Sequence, residues 1–265
     1  MKLACQEQLI PGNTLEDKWE LISDAGFDGI ELLGHGDLQF EKRLGELETA
    51  RSAGVVLSSV CVAMDHFIGD RDPVKRRDAI ENMKSLLSVI AEVGGVGAVT
   101  PASFGVWSNA LPPWEPPSRT PEQDRDILLE GVRELAEHAL PLGVAVLLEP
   151  LNRYEDHMIN RVSQAADLCR SVDIASAKVM ADAFHMNIEE EDAADSLRDD
   201  GDVIAHIHLG DSGRLQPGVG HIDWPRMMEA LHDIRYDGWL AMECGIKGDP
   251  HEVLPQVAAL FRPLM

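Results

Sequence analysis

Eight short apolar runs, KLACQ, GIELLG, VVLSSVCV, GAVTPA, VAVLLEP, KVMADA, VIAHIHLG and WLAMECG, recur along the chain, each followed by a stretch of helical character. The runs lack regular alternation with polar residues, as expected of strands covered on both faces, and a strand followed by a crossover helix builds parallel sheet. In TLEDKWELISDAG, Leu15, Trp19 and Ile22 fall on one helical face. Gly26, Gly54, Gly94 and Gly143 stand where helices would stop in a left-handed cap before the next strand. Eight such units in 265 residues match the size of a (β/α)8 barrel. The expected fold is therefore α/β, a TIM barrel forming a single domain over residues 1–265. A doubly wound sheet is the rival, but no G-x-G-x-x-G follows the first run.

One stretch breaks the rhythm. Residues 104–124, FGVWSNALPPWEPPSRTPEQD, are rich in proline and follow the fourth strand, so they are expected to form a loop on the barrel's active face. Trp107 and Trp114 within it could close over a sugar, because aromatic faces bind C–H-rich surfaces, or pack within the loop itself.

Charge and cysteine usage narrow the partners. A formal charge of −23 repels phosphate backbones and anionic membranes, which argues against nucleic acid and membrane surfaces. No run approaches the roughly 18 apolar residues that a membrane span requires, and MKLACQEQLIPG lacks the apolar centre of a signal peptide. Cys5, Cys61, Cys169 and Cys244 are widely spaced, with no C-x-x-C pair. A cytoplasmic protein is expected, acting on a small molecule; a homo-oligomer stays open.

The last four strands carry the chemistry. Glu149 ends the fifth, Asp182 the sixth, His208 the seventh and Glu243 the eighth, all at the C-terminal rim where barrel enzymes place their catalytic groups. Any one of them has an ordinary explanation as a helix cap or a core histidine; four on successive strands do not. Three carboxylates and one imidazole form a hard donor set suited to one divalent ion, Mn2+ first, with Mg2+ or Co2+ as alternatives. His206 shares the parity of His208 one layer deeper, and its expected role is packing or support of the ligands.

The segments LEPLNRYE, DAFHMNIEE, HIHLGDSGRLQPGVGHIDW and MECG resemble the metal-site motifs of the xylose isomerase-like TIM-barrel superfamily, and among its branches the D-tagatose 3-epimerase/D-allulose 3-epimerase (ketose 3-epimerase) family. The similarity spans nearly the whole chain and is strongest from 145 to 245. It implies that Glu149, Asp182, His208 and Glu243 bind the metal, and that Glu155, His185 and Arg214 contact the sugar or hold the catalytic groups.

The expected reaction follows from the donor set. A divalent ion stabilises the enediolate formed when a ketose loses the proton beside its carbonyl. Glu149 and Glu243, three strands apart on the ring, can face the sugar from opposite sides, one removing the proton and the other returning it to the opposite face. His185 could donate to a developing oxyanion, and Arg214 could fork hydrogen bonds to hydroxyls or carboxylates. No Gly-rich cradle or basic cluster marks a phosphate site, so the expected substrate is an unphosphorylated ketose epimerised at C3. The alternative is a lyase or dehydratase that eliminates from a keto-inositol or keto-glycoside. An endonuclease of the same superfamily would need the basic groove that the charge argues against.

Overall fold

A computed structural model of the chain describes residues 1–104 and 119–265. Eight parallel strands close on themselves in sequence order: β1 (Lys2–Gln6), β2 (Gly29–His35), β3 (Leu57–Ala63), β4 (Gly97–Pro101), β5 (Ala145–Glu149), β6 (Ala177–Asp182), β7 (Ile204–Leu209) and β8 (Trp239–Met242). Around them lie α1 (Leu15–Ala25), α2 (Leu44–Ser52), α3 (Pro73–Glu92), α4 (Pro121–Ala139), α5 (Val162–Val172), α6 (Ala183–Glu189), α7 (Ala193–Asp199), α8 (Trp224–Asp233) and α9 (Pro250–Phe261). The expected (β/α)8 barrel is the observed fold.

Local chemistry explains most boundaries. Thr14 and Thr120 open α1 and α4 with capping boxes closed by Asp17 and Gln123. Gly26, Gly54, Gly94 and Gly143 all adopt positive φ, from 71° to 98°, as expected for left-handed caps. Two features depart from the sequence reading. The strand β6 is followed by two short helices rather than one, because Asp182 caps α6 and Asp192 caps α7. The end of the proline-rich stretch is already helix, α4 starting at Pro121; Trp107 and Trp114 lie outside the described residues.

Strand parity divides the core in two. Outward residues such as Leu3, Ile30, Val60, Ala98, Val146 and Val179 pack under the helices. Inward residues fill the barrel in separate groups, Cys61, Val99, Leu147 and Met180 in one and Ala4, Trp239 and Ala241 in another. Trp239 plugs the interior closely enough that a Cβ on Gly29 would come within 2.8 Å of its ring. Two positions further along β5, β6, β7 and β8, the same inward parity brings Glu149, Asp182, His208 and the residues beyond Ala241 to the rim. Among the described residues, no helix is long and apolar enough to cross a membrane.

Candidate metal centre and active site

The four rim residues converge. One donor atom from each of Glu149, Asp182, His208 and Glu243 lies within 4.8 Å of all the others. Asp182 serves two purposes at once: Oδ1 accepts from the backbone N–H of Phe184 at 2.6 Å and of His185 at 3.2 Å, capping α6. Its Oδ2 is buried and has no hydrogen-bond partner in the protein. A desolvated carboxylate oxygen left unpaired is costly, and a cation held by the group would satisfy it. The hard, oxygen-rich donors and this orphaned atom fit a divalent ion.

Crowding of negative charge gives the same reading. Burial and the charge of Glu243 push the Glu149 carboxyl well above its ordinary range, and the same two causes raise Asp182 to about 7. Burial works in the same direction on Glu243, but the adjacent His208 and Arg214 override it and hold this carboxyl at about 2. Carboxylates that raise one another in this way are stabilised by a cation placed among them.

His208 is oriented by a residue that the sequence reading missed. Its Nε2 lies 2.8 Å from Glu31 Oε1, while Nδ1 lies 3.1 Å from Glu243 Oε2 and 3.9 Å from Asp182 Oδ2. With a cation in the site, a proton on Nε2 facing Glu31 would leave the Nδ1 lone pair for that cation. Glu31 is itself wholly buried, accepting from Gln6 Nε2 at 3.0 Å and Ser59 Oγ at 2.6 Å. His206 Nε2 lies 2.8 Å from its other oxygen. His206 thus supports the ligands from the layer below, and burial is overcome by two imidazoles that keep Glu31 well below the usual carboxylate range. A register shift between Ile30 and Glu31 sets the carboxylate level with Ser59. The available signal was a charged residue of inward parity inside GIELLG.

The residues expected at the substrate also gather here. His185 is buried, and its Nδ1 accepts from the backbone N–H of Asn152 at 3.1 Å and lies 2.8 Å from Asn152 Nδ2. Its proton is therefore on Nε2, which has no partner and stands 3.8 Å from Glu149 Oε1 and 4.0 Å from Glu155 Oε2. Burial, reinforced by the Arg214 charge, lowers His185 to about 3, so the ring is a neutral donor. Arg214 binds both oxygens of Glu155, at 2.9 and 3.1 Å, and its guanidinium sits 5.0 Å over the Phe184 ring. Its other arm is 3.8 Å from Glu243 Oε2. The loop carrying Arg214 is tied down by Asp211, whose carboxylate accepts from the backbone N–H groups of Ser212 and Gly218 and from Trp224 Nε1. Neither Asn152 nor Asp211 stood out in the sequence.

Glu149 and Glu243 both line a cavity of about 210 Å3, together with Arg214, Cys61, Met64 and Phe67. Two carboxylates and a guanidinium around one small space, with a neutral imidazole donor 3.8 Å behind Glu149, can accept a carbon-bound proton, return it and bind oxygen atoms.

The sequence model of the xylose isomerase-like TIM barrel family matches residues 19–264. The chain is 35% identical over 265 residues to 3-dehydro-D-guloside 4-epimerase of Escherichia coli (strain K12), covering 99% of each chain. It is 32% identical over 233 residues to D-psicose 3-epimerase of Enterocloster bolteae, covering 84% of this chain and 74% of that one. Among solved structures, the apo form of 3-keto-D-glucoside 4-epimerase from E. coli is similar with a TM-score of 0.92 and 33% identity over 99% of both chains. D-psicose 3-epimerase with D-tagatose from Clostridium cellulolyticum gives a TM-score of 0.80 and 26% identity over 98% of this chain and 96% of the other. With the family model matched over nearly its whole length, the chain belongs to the xylose isomerase-like TIM barrel family.

Proposed function

We propose that the protein is a divalent-metal-dependent epimerase that inverts the carbon next to the keto group of an unphosphorylated sugar. The observation that carries this reading is the placement of Glu149 and Glu243, from β5 and the end of β8, in one donor set and against one cavity. A divalent ion held by Glu149, Asp182, His208 and Glu243, Mn2+ first, would supply Lewis-acid stabilisation of charge on the carbonyl oxygen. One glutamate removes the proton beside the carbonyl and the other delivers one to the opposite face. His185 Nε2–H donates to an oxygen that gains charge, and Arg214, braced by Glu155, holds a hydroxyl.

Two substrates suit this chemistry. A free ketose inverted at C3 agrees with the D-psicose 3-epimerase relatives, whereas a 3-keto-glycoside inverted at C4 agrees with the E. coli relative that matches from end to end. The full-length match favours the keto-glycoside. Elimination from a keto-glycoside, the lyase outcome, begins with the same proton abstraction but changes the product's mass.

Incubation of the Mn2+-loaded protein in D2O with 3-keto-glycosides and free ketoses tests the proposal. The expected product is an epimer of unchanged composition with deuterium at the inverted carbon. Loss of water or of an aglycone, with no epimer from any sugar, would overturn it.

A further inference from the structure

Beside the catalytic cavity lies a larger one. It measures about 380 Å3 and opens where β2 and β3 end. Ala63 and Met64 line both, so the segment closing β3 is their common wall. The catalytic cavity, at about 210 Å3, is smaller than the roughly 300–1,000 Å3 of sites that enclose a drug-sized ligand, and it suits a single sugar ring. With its neighbour the space reaches that range.

The chemistry of the two walls differs. Val62, Met64, Phe67 and Phe104 give the catalytic cavity an apolar side. His35, Asp37, Gln39, Asp65, His66 and Asp78 surround the second. Among the described residues no Lys or Arg lines it. Carboxylates without a neighbouring cation repel phosphate and carboxylate groups but accept hydrogen bonds from hydroxyls. His66 Nδ1 is 2.7 Å from Asp78 Oδ2, which sets the orientation of that ring. The rim is also preformed: Asp37 and Leu38 both adopt left-handed backbone, φ 55° and 53°, and the Leu38 N–H donates to the buried Asn82 Oδ1 at 2.9 Å. A loop fixed in this way loses little further freedom on binding.

We infer that the second cavity is the subsite for the part of the substrate beyond the reacting ring, and that this part is neutral and polyhydroxylated: a second sugar ring joined by a glycosidic bond. The inference rests on the keto-sugar epimerase reading and narrows it to a glycoside of disaccharide size.

Epimerisation is measured for methyl glucosides and for α- and β-linked glucose disaccharides, each oxidised to the ketone at C3 of the non-reducing ring, and for the corresponding compound with glucuronic acid as aglycone. For at least one linkage, kcat/KM should exceed that of the methyl glycoside of the same anomer by about tenfold or more, mainly through KM. The glucuronic acid compound should show no such gain. In His66→Ala and Asp65→Ala the ratio of disaccharide to methyl glycoside should fall to within about threefold of unity. A ratio near one in the unaltered protein, a ratio retained in both variants, or an equal gain from the anionic aglycone would overturn the inference. The imidazole NMR signals of His66, followed during titration with unoxidised disaccharides, separate the two readings. Shifts without turnover of any keto sugar support the cavity and sink the epimerase; turnover of methyl glycosides without shifts sinks the cavity and leaves the epimerase.

Discussion

Asp182 illustrates how one side chain serves structure and chemistry together, since Oδ1 caps α6 while Oδ2 faces the donor set. On the proposed mechanism Glu149 and Glu243 are different in kind, because the reaction would need their charge as well as their oxygen atoms. Glu149→Gln and Glu243→Gln should each keep a coordinating oxygen and most of the metal, yet lose at least about 10²-fold in rate, the scale of general acid–base catalysis. Metal content by atomic emission and single-turnover rates check this, and activity surviving in both variants would point to another base. Glu31 never reaches the substrate on this reading. Glu31→Gln should lower metal affinity about 10- to 100-fold, the usual effect of losing a carboxylate behind a ligating histidine. Metal titration by calorimetry reads this directly. An unchanged affinity would mean that His208 keeps its orientation without Glu31.

At the scale of elements, strands and long helices were legible from sequence because their signals are local. Thr14 with Asp17 and Thr120 with Gln123 close capping boxes within three residues, and the four glycine caps follow directly from φ preference. The division of the segment after β6 into α6 and α7 was not legible, since each helix has only seven residues and too few turns to establish a period. The closed end of the barrel makes its own demand on Gly29. Gly29→Ala would drive a methyl group into the Trp239 ring at 2.8 Å, and overpacking of this kind costs about 1–3 kcal/mol. The variant should show a lower denaturant midpoint with an unchanged slope. A neutral result would mean that β8 shifts to accommodate the methyl.

For the whole molecule, the proposed metal site predicts that the crowded carboxylates make stability depend on both pH and metal. The folded values of Asp182, at about 7, and of Glu149 are raised above the roughly 4 of the unfolded chain, so the metal-free native state binds more protons than the unfolded state. The contribution of this pair falls as pH rises from about 4.5 towards 7. Glu31 and Glu243, whose folded values are lowered, contribute fully above about 4.3 and lose their effect only in stronger acid. His208 is raised well above its ordinary value, so its contribution is full below about 6.5 and is lost as pH rises from there through the raised value. His185 and His206, whose folded values are lowered, oppose that fall below about pH 6.5, so the melting temperature in chelator should fall between about pH 6.5 and 7.5, and the increase produced by Mn2+ should be larger at pH 7.5 than at pH 5.5. Thermal unfolding with and without the metal measures both trends, and a metal effect independent of pH would contradict the shared site. The sequence by itself determined the eight β/α units, the parity of each strand and hence the rim positions of Glu149, Asp182, His208 and Glu243, because periodicity and strand ends are properties of neighbouring residues. Only the tertiary structure decided that Glu31 stands behind His208, and that His206, 175 residues away along the chain, shares its carboxylate. Those contacts arise when β8 pairs with β1 and the ring closes, and no local pattern records that closure.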